Sequence, residues 1–106
     1  MSYEEVFHRL KNIFLKADAS KINGHFAFQF NIIGEGEGIF YVEIKDKRIY
    51  VEPYEYHDRD AIFIAPAKVF FDIAEGRLNA VKAFSLGKLK VAGDLGKALE
   101  IQKLIK

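Results

Sequence analysis

The chain has no cysteine, no tryptophan and no threonine, and only two prolines among its 106 residues. Without cysteine there are no disulfides and no thiolate metal sites, so a stapled secreted scaffold is excluded and a reducing, cytoplasmic setting is expected. Hydroxyl nucleophiles other than tyrosine are limited to Ser2, Ser20 and Ser85. Ser85 lies in Ala-Phe-Ser-Leu-Gly, which is not the Gly-x-Ser-x-Gly elbow of a hydrolase. Long apolar runs are missing too. Nothing approaches the roughly 18 consecutive apolar residues of a membrane span. The first turn carries Glu4 and Glu5 rather than a basic flank, so a signal peptide is not expected either. Net charge is only +1, and the aromatics are not interleaved with Arg or Lys, which argues against nucleic acid.

What the chain does have is rings, with ten Phe and five Tyr. One domain is expected at this length, burying roughly 65% of the surface that its unfolded form exposes. The rings fit two arrangements. Each Phe packed in a core contributes about 1.5–3 kcal/mol; alternatively the rings line an apolar pocket. A dry cavity of about 300 Å³ would cost on the order of 7 kcal/mol, against a whole-domain stability of about 5–15 kcal/mol. A pocket of that size is therefore expected to be filled or partly collapsed.

Ser2-Tyr3-Glu4-Glu5 has the form of a capping box, and Val6, Leu10, Ile13, Phe14 and Ala17 follow on one helical face, predicting a helix to about Lys16. After Asn23-Gly24 the period changes to two. Phe26, Phe28, Phe30 and Ile32 fall on one side, with Ala27, Gln29 and Asn31 on a face expected to be wet. Gly34-Glu35-Gly36-Glu37-Gly38 reads as a hairpin turn into a second strand with Phe40, Val42 and Ile44 inward. Asp46-Lys47 turns the chain into a third strand through Ile49 and Val51, and Ala61 to Ile64 supply a fourth. Pro66 stands where a helix should start, Val69, Phe70 and Ile73 share its face, and Gly76 stops it. A short helix from about Leu78 to Phe84 leads to a strand Lys88-Leu89-Lys90-Val91 bracketed by Gly87 and Gly93. Asp94 then caps a helix with apolar residues at Leu95, Ala98, Leu99, Ile101, Leu104 and Ile105. This order predicts an α+β domain whose alternating, mostly antiparallel strands have one covered face.

Reactive constellations are sparse. The Gly34 to Gly38 run lacks the third glycine of a dinucleotide cradle, is followed by a strand, and carries Glu35 and Glu37, which would repel an anion. Gly87-Lys88 has Leu89 where a P-loop needs Ser or Thr. His8, His25 and His57 have no helical i, i+4 partner, so no metal site is expected. His57-Asp58-Arg59-Asp60 is the one polar cluster. It reads as an exposed connection between strands, with a metal or proton-transfer site as the sharper alternative. No cofactor motif is present, and the chain is not expected to be an enzyme. Charge is uneven: from Gly76 onward seven basic residues face Asp94 and Glu100, leaving the first 75 residues acidic. A solvated face explains this, as does attraction to an anionic membrane or a ligand phosphate.

Gly76, Ala83-Phe84, Gly87-Lys88-Leu89, Val91 and Gly93-Asp94, followed by the apolar helix, resemble the sterol carrier protein family, and the likeness continues more weakly from about Ile22. The resemblance implies a five-stranded sheet with helices packed on one face and a lipid in the apolar space between them. It implies an architectural role for the motif itself, with Phe84 plugging or lining the core. Family members carry sterols, fatty acids, acyl-CoA or phospholipids without altering them, and some serve as accessory or dimerisation domains. The closing Leu104-Ile105-Lys106 is not the peroxisomal address of some carriers.

Lipid contacts are then expected from the inward faces: Leu10 and Phe14 of the first helix, Phe28, Phe30, Phe40 and Val42 of the sheet, Phe70 and Ile73, Phe84, and Leu99 and Leu104. Apolar lining and apolar core obey the same periodicity, so part of this set is expected to be core. The expected partners are a lipid and, transiently, an anionic membrane surface. The rival reading is a dry interaction or enzyme-accessory domain that uses Tyr54 and Tyr56 to form a homodimer or dock a partner.

Overall fold

The computed structural model describes residues 1–105. Helix α1 (Tyr3–Leu15) starts at the expected box: Ser2 Oγ accepts from the Glu5 N–H, and the Glu5 carboxylate accepts from the Ser2 N–H. Its apolar face, Val6, Phe7, Leu10 and Phe14, is buried. Strands β1 (Phe26–Ile33), β2 (Gly38–Lys45) and β3 (Arg48–Glu52) form an antiparallel meander. The β2–β3 turn puts Asp46 and Lys47 at φ 52° and 63°, the two left-handed residues that a two-residue hairpin needs to match strand twist.

Strand β4 (Ala61–Pro66) returns parallel to β1, and β5 (Lys90–Gly93) pairs antiparallel with β4 at the edge. The sheet order is β3-β2-β1-β4-β5, so four interfaces include one parallel pair. The expected α+β class and mostly antiparallel five-stranded sheet are both present. Helices α2 (Ala67–Ala74) and α3 (Ala80–Ser85) lie between β4 and β5 in the chain, and α4 (Leu95–Ala98) follows β5. Gly93 is required at its position. Its φ is +97°, and a Cβ there would sit 2.6 Å from the Asp60 carbonyl oxygen.

Four expectations need correction. The strand begins at Lys90 rather than Lys88, because the Lys88 and Leu89 N–H groups both donate to the Ala83 carbonyl and close α3. The terminal helix is α-helical only to Ala98. Residues Leu99–Leu104 tighten into a 3₁₀ helix, whose three residues per turn stack the buried Ala98, Ile101 and Leu104 in one row. The β1 face expected to be wet is partly covered, since Ala27 and Gln29 are buried. The 53–60 loop lies over it: Tyr56 packs on Tyr41, the cross-strand partner of Gln29, with ring centroids 4.9 Å apart. Tyr56 is for that reason not the free docking aromatic expected from the sequence. Tyr54 is exposed.

Candidate functional site

An apolar cleft opens at the β5 edge between α3, β5 and the terminal helix. Its volume is 310 Å³. Sequence dictates each wall. Asn79 caps α3 by accepting from the Val81 and Lys82 N–H groups, and so fixes the helix start at Ala80. From that start Ala80 and Ala83 turn into the protein, while Val81, Phe84 and Ser85 border the cleft. Phe84 is therefore not a core plug; it is 45% exposed and stands at the cleft mouth. Leu89 and Val91 supply the strand side.

Asp94 Oδ1 accepts from the Lys97 N–H and starts α4, which brings Leu95, Ala98 and Leu99 to the opposite wall. Leu99 lies outside the buried row of Ala98, Ile101 and Leu104 and is 56% exposed. The two walls are tied together by one buried-end hydrogen bond: the Ala80 N–H donates to Gln102 Oε1 at 2.9 Å. Asp60 holds the cleft to the sheet. Its carboxylate accepts from the Ala27 N–H at 2.9 Å and pairs with Lys97 Nζ at 3.2 Å, while its carbonyl accepts from the Asp94 N–H.

Phe63, Ala80, Leu89 and Ile101 also line a narrow interior crevice of 10 Å³, together with Phe14, Phe30, Phe70 and Ile73. The structure thus brings Phe84 and Leu99 together at the cleft, and Phe14, Phe30, Phe70 and Ile73 together behind it. Leu10, Phe28, Phe40, Val42 and Leu104 are buried but border neither space. Phe63, Leu89, Val91, Leu95 and Gln102 were absent from the sequence expectation. The strict alternation of Leu89 with Val91 was the readable signal for two of them.

The cleft offers little for chemistry. Its polar lining is the Ser85 hydroxyl and the Gln102 amide, and the latter already accepts from Ala80. On the far face of the sheet, burial works against the Glu43 charge, but hydrogen bonds from Tyr56 and His25 outweigh it and hold the carboxyl below its usual range. Among the described residues no group of three His, Asp or Glu is placed to hold a metal ion, and no helix is long and apolar enough to cross a membrane.

The sequence matches the SCP-2 sterol transfer family over residues 5–106. Hydroxysteroid dehydrogenase-like protein 2 of Rattus norvegicus is 32% identical over 79 residues, covering 74% of this chain and 15% of that protein. Sterol carrier protein 2 of Homo sapiens is 32% identical over 85 residues, covering 79% of this chain and 16% of that protein. The chain therefore spans less than a fifth of the length of either relative. Among solved structures, the palmitated SCP2L2 of Aedes aegypti superposes with a TM-score of 0.68 at 20% identity, covering 97% of this chain and 93% of that one. The inverting sec-alkylsulfatase Pisa1 from a Pseudomonas species contains the same fold, with a TM-score of 0.77 at 15% identity over 92% of this chain and 16% of that one. With the match running from Glu5 through the terminal helix that walls the cleft, the chain belongs to the SCP-2 sterol transfer family.

Proposed function

We propose that the domain binds the acyl chain of a lipid in the cleft at the β5 edge and carries it without chemical change. The observation that carries this reading is the cleft itself: 310 Å³ of space open to water and lined by ten apolar residues against Ser85 and Gln102. That volume is at the lower end of ligand pockets, which hold about 300–1,000 Å³. Exposed apolar walls are costly unless something covers them. The fold shared with the palmitated Aedes aegypti protein supports a fatty acyl ligand, and the lack of a paired nucleophile or acid in the lining supports carriage rather than catalysis.

Each methylene moved from water into the cleft contributes about 0.8 kcal/mol. Ten of them give about 8 kcal/mol, against an association cost of at least about 4 kcal/mol. Long chains are therefore selected, and removing one carbon weakens binding about fourfold. Competition of saturated fatty acids of graded length against a fluorescent fatty acid tests this, with native mass spectrometry of protein purified without delipidation. Absence of lipid adducts, together with no fluorescent fatty acid binding, would overturn the reading.

A second reading has the domain hold its ligand for an enzyme. It is favoured by the hydroxysteroid dehydrogenase-like relatives and the alkylsulfatase, in which the matching segment is about one sixth of a longer chain. It predicts that the domain binds an enzyme that acts on the same lipid, and it fails if loading with lipid leaves such an enzyme's KM unchanged.

A further inference from the structure

The sheet ends in two edge strands, and only one of them is blunted against pairing with another chain. Strand β5 is four residues long and runs from Lys90 to Gly93, the short and charged form that discourages edge pairing. Strand β3, at the other edge, reads Arg48-Ile49-Tyr50-Val51-Glu52. It has no proline, no glycine and no bulge in its register with β2, and its central three residues are strong β formers.

The hairpin settles which backbone groups of β3 are free. Asp46-Lys47 is a two-residue turn, so Lys45 and Arg48 flank it as a hydrogen-bonded pair, and antiparallel alternation makes Tyr50 and Glu52 the next residues bonded to β2. The N–H and C=O groups of Ile49 and Val51 therefore point away from the sheet, and no turn or loop backbone bonds to them among the described residues. Side chains divide the other way. Ile49 and Val51 pack into the core on the side covered by α1. Arg48, Tyr50 and Glu52 lie on the far face, where Arg48 and Tyr50 are exposed and Glu52 is half-buried. Neither Arg48 nor Glu52 forms an ion pair among the described residues.

Such a strand is complementary to itself. Two copies laid antiparallel about a two-fold axis through Tyr50 set Ile49 of one against Val51 of the other, so the free N–H and C=O groups on both sides are bonded. The same register sets Arg48 against Glu52 twice, in the non-hydrogen-bonded positions where facing side chains come closest, and Tyr50 against itself. A shift of two residues either way puts Tyr50 against one of the charges and runs the pairing into Lys47 or Pro53. We propose that the β3 edge is an interface for a second copy of this chain, the two sheets joining edge to edge into one. The contact is one pair of short strands, well below a standard interface, so the dimer is weak and concentration-dependent. Strand β5 ends the sheet on the other side, so the two clefts lie at opposite ends of the pair and stay open. The interface does not depend on what the clefts hold.

The test is sedimentation equilibrium over a range of protein concentrations, which should show the parent passing from monomer to dimer. Arg48→Glu and Glu52→Arg each turn two attractive pairs into two repulsive ones, and each should weaken dimerisation about 30-fold. Mixing these two variants should restore association, because two acidic positions on one chain then face two basic positions on the other. The double variant, Arg48→Glu with Glu52→Arg, should pair with itself as the parent does. Tyr50→Lys sets two ammonium groups against each other on the axis and should abolish the dimer. None of the three side chains is fully buried, so all variants should keep the far-ultraviolet circular dichroism of the parent. Recovery on mixing is the decisive readout, since a role confined to the fold of a single chain would not produce it. A parent that stays monomeric at every concentration would overturn the proposal and leave the edge to a different strand. A dimer indifferent to the three substitutions, or single-charge variants that remain monomeric when mixed, would overturn it as well.

Discussion

Phe30 and Phe40 are direct register partners across β1 and β2, and their rings lie parallel, 8° apart in plane with centroids separated by 4.8 Å. Three more rings meet Phe30: Phe63 at 5.1 Å, Phe70 at 5.2 Å and Phe14 at 5.5 Å. One side chain therefore joins β2, β4, α2 and α1. This ring cluster is what reduces the space beneath the helices to a crevice of 10 Å³. Room for a ligand is left at the β5 edge, where α3 supplies only Ala80 and Ala83 to the interior.

Phe30→Ala is expected to cost about 3–5 kcal/mol, the range for removing a buried ring that cannot be replaced by collapse. Urea unfolding should show a lower midpoint at an unchanged m-value. Phe30→Asp should abolish folding, since the carboxylate would be buried without a partner. A folded Phe30→Asp protein with native circular dichroism would mean that the space beneath the helices opens to water.

The Asp60 carboxylate ties β1 to α4, and the cost of losing it should greatly exceed that of losing its ion pair. Asp60→Ala strands the buried Ala27 N–H and should cost about 1–3 kcal/mol. Lys97→Ala removes only the partly exposed ion pair and should cost about 0.2–1 kcal/mol. Thermal unfolding of the two variants separates these outcomes. Equal losses would mean that the Lys97 pair, rather than the Ala27 N–H, is what Asp60 supplies.

Much of this arrangement was legible in the residues. The Ser2 and Glu5 box, the Asp46-Lys47 turn and the Asp94 cap each depend on chemistry within four residues, and each forms as local rules require. Burial of Gln29 was not legible, because it depends on Tyr56, 27 positions later, folding back over the sheet. The cleft was hidden for a similar reason. Apolar residues at Leu95, Ala98, Leu99, Ile101 and Leu104 spread around much of the terminal helix, so periodicity alone does not tell the buried Ala98, Ile101 and Leu104 from the exposed Leu95 and Leu99 that border the cleft. The two sets are told apart by tertiary packing against α3, where Gln102 Oε1 accepts from the Ala80 N–H.

The Tyr56 hydroxyl donates to Glu43 at 2.7 Å, and this bond, with burial and the Glu43 charge behind it, pushes the phenol from its ordinary 10.0 up to about 12. The raised value means that the folded protein holds the proton more tightly than the unfolded chain. Its stabilising effect is complete below pH 10 and lost between pH 10 and about 12. Tyr3 and Tyr41, both pushed up mainly by burial, add to the same alkaline loss. Glu43 is shifted down, so its contribution is present above its ordinary 4.5 and lost as pH falls below that value. Tyr56→Phe should flatten the fall of the urea midpoint between pH 10 and 12 and weaken the acid loss. An unchanged alkaline slope would show that the hydroxyl does not hold Glu43 in solution.

Stability and ligand affinity should respond to different phenylalanines. Phe84 stands half-exposed at the cleft mouth, so Phe84→Ala should change stability by less than about 1 kcal/mol. A ligand would cover that ring, and its loss should weaken fatty acid binding about fivefold, as burial of part of an apolar side chain contributes about 1 kcal/mol. Leu99→Ala should behave alike, because Leu99 faces Phe84 across the same opening. Phe28 is the reverse case, fully buried and bordering neither the cleft nor the crevice. Phe28→Ala should cost about 3–5 kcal/mol while the protein that remains folded binds fatty acid as before. Titration of all three variants with a fluorescent fatty acid, at a temperature where circular dichroism shows each folded, decides where the ligand lies. If Phe28→Ala weakened binding and Phe84→Ala did not, the chain would lie between α1 and the sheet, on the inward faces that periodicity alone selects, and the β5 edge would be only a surface groove.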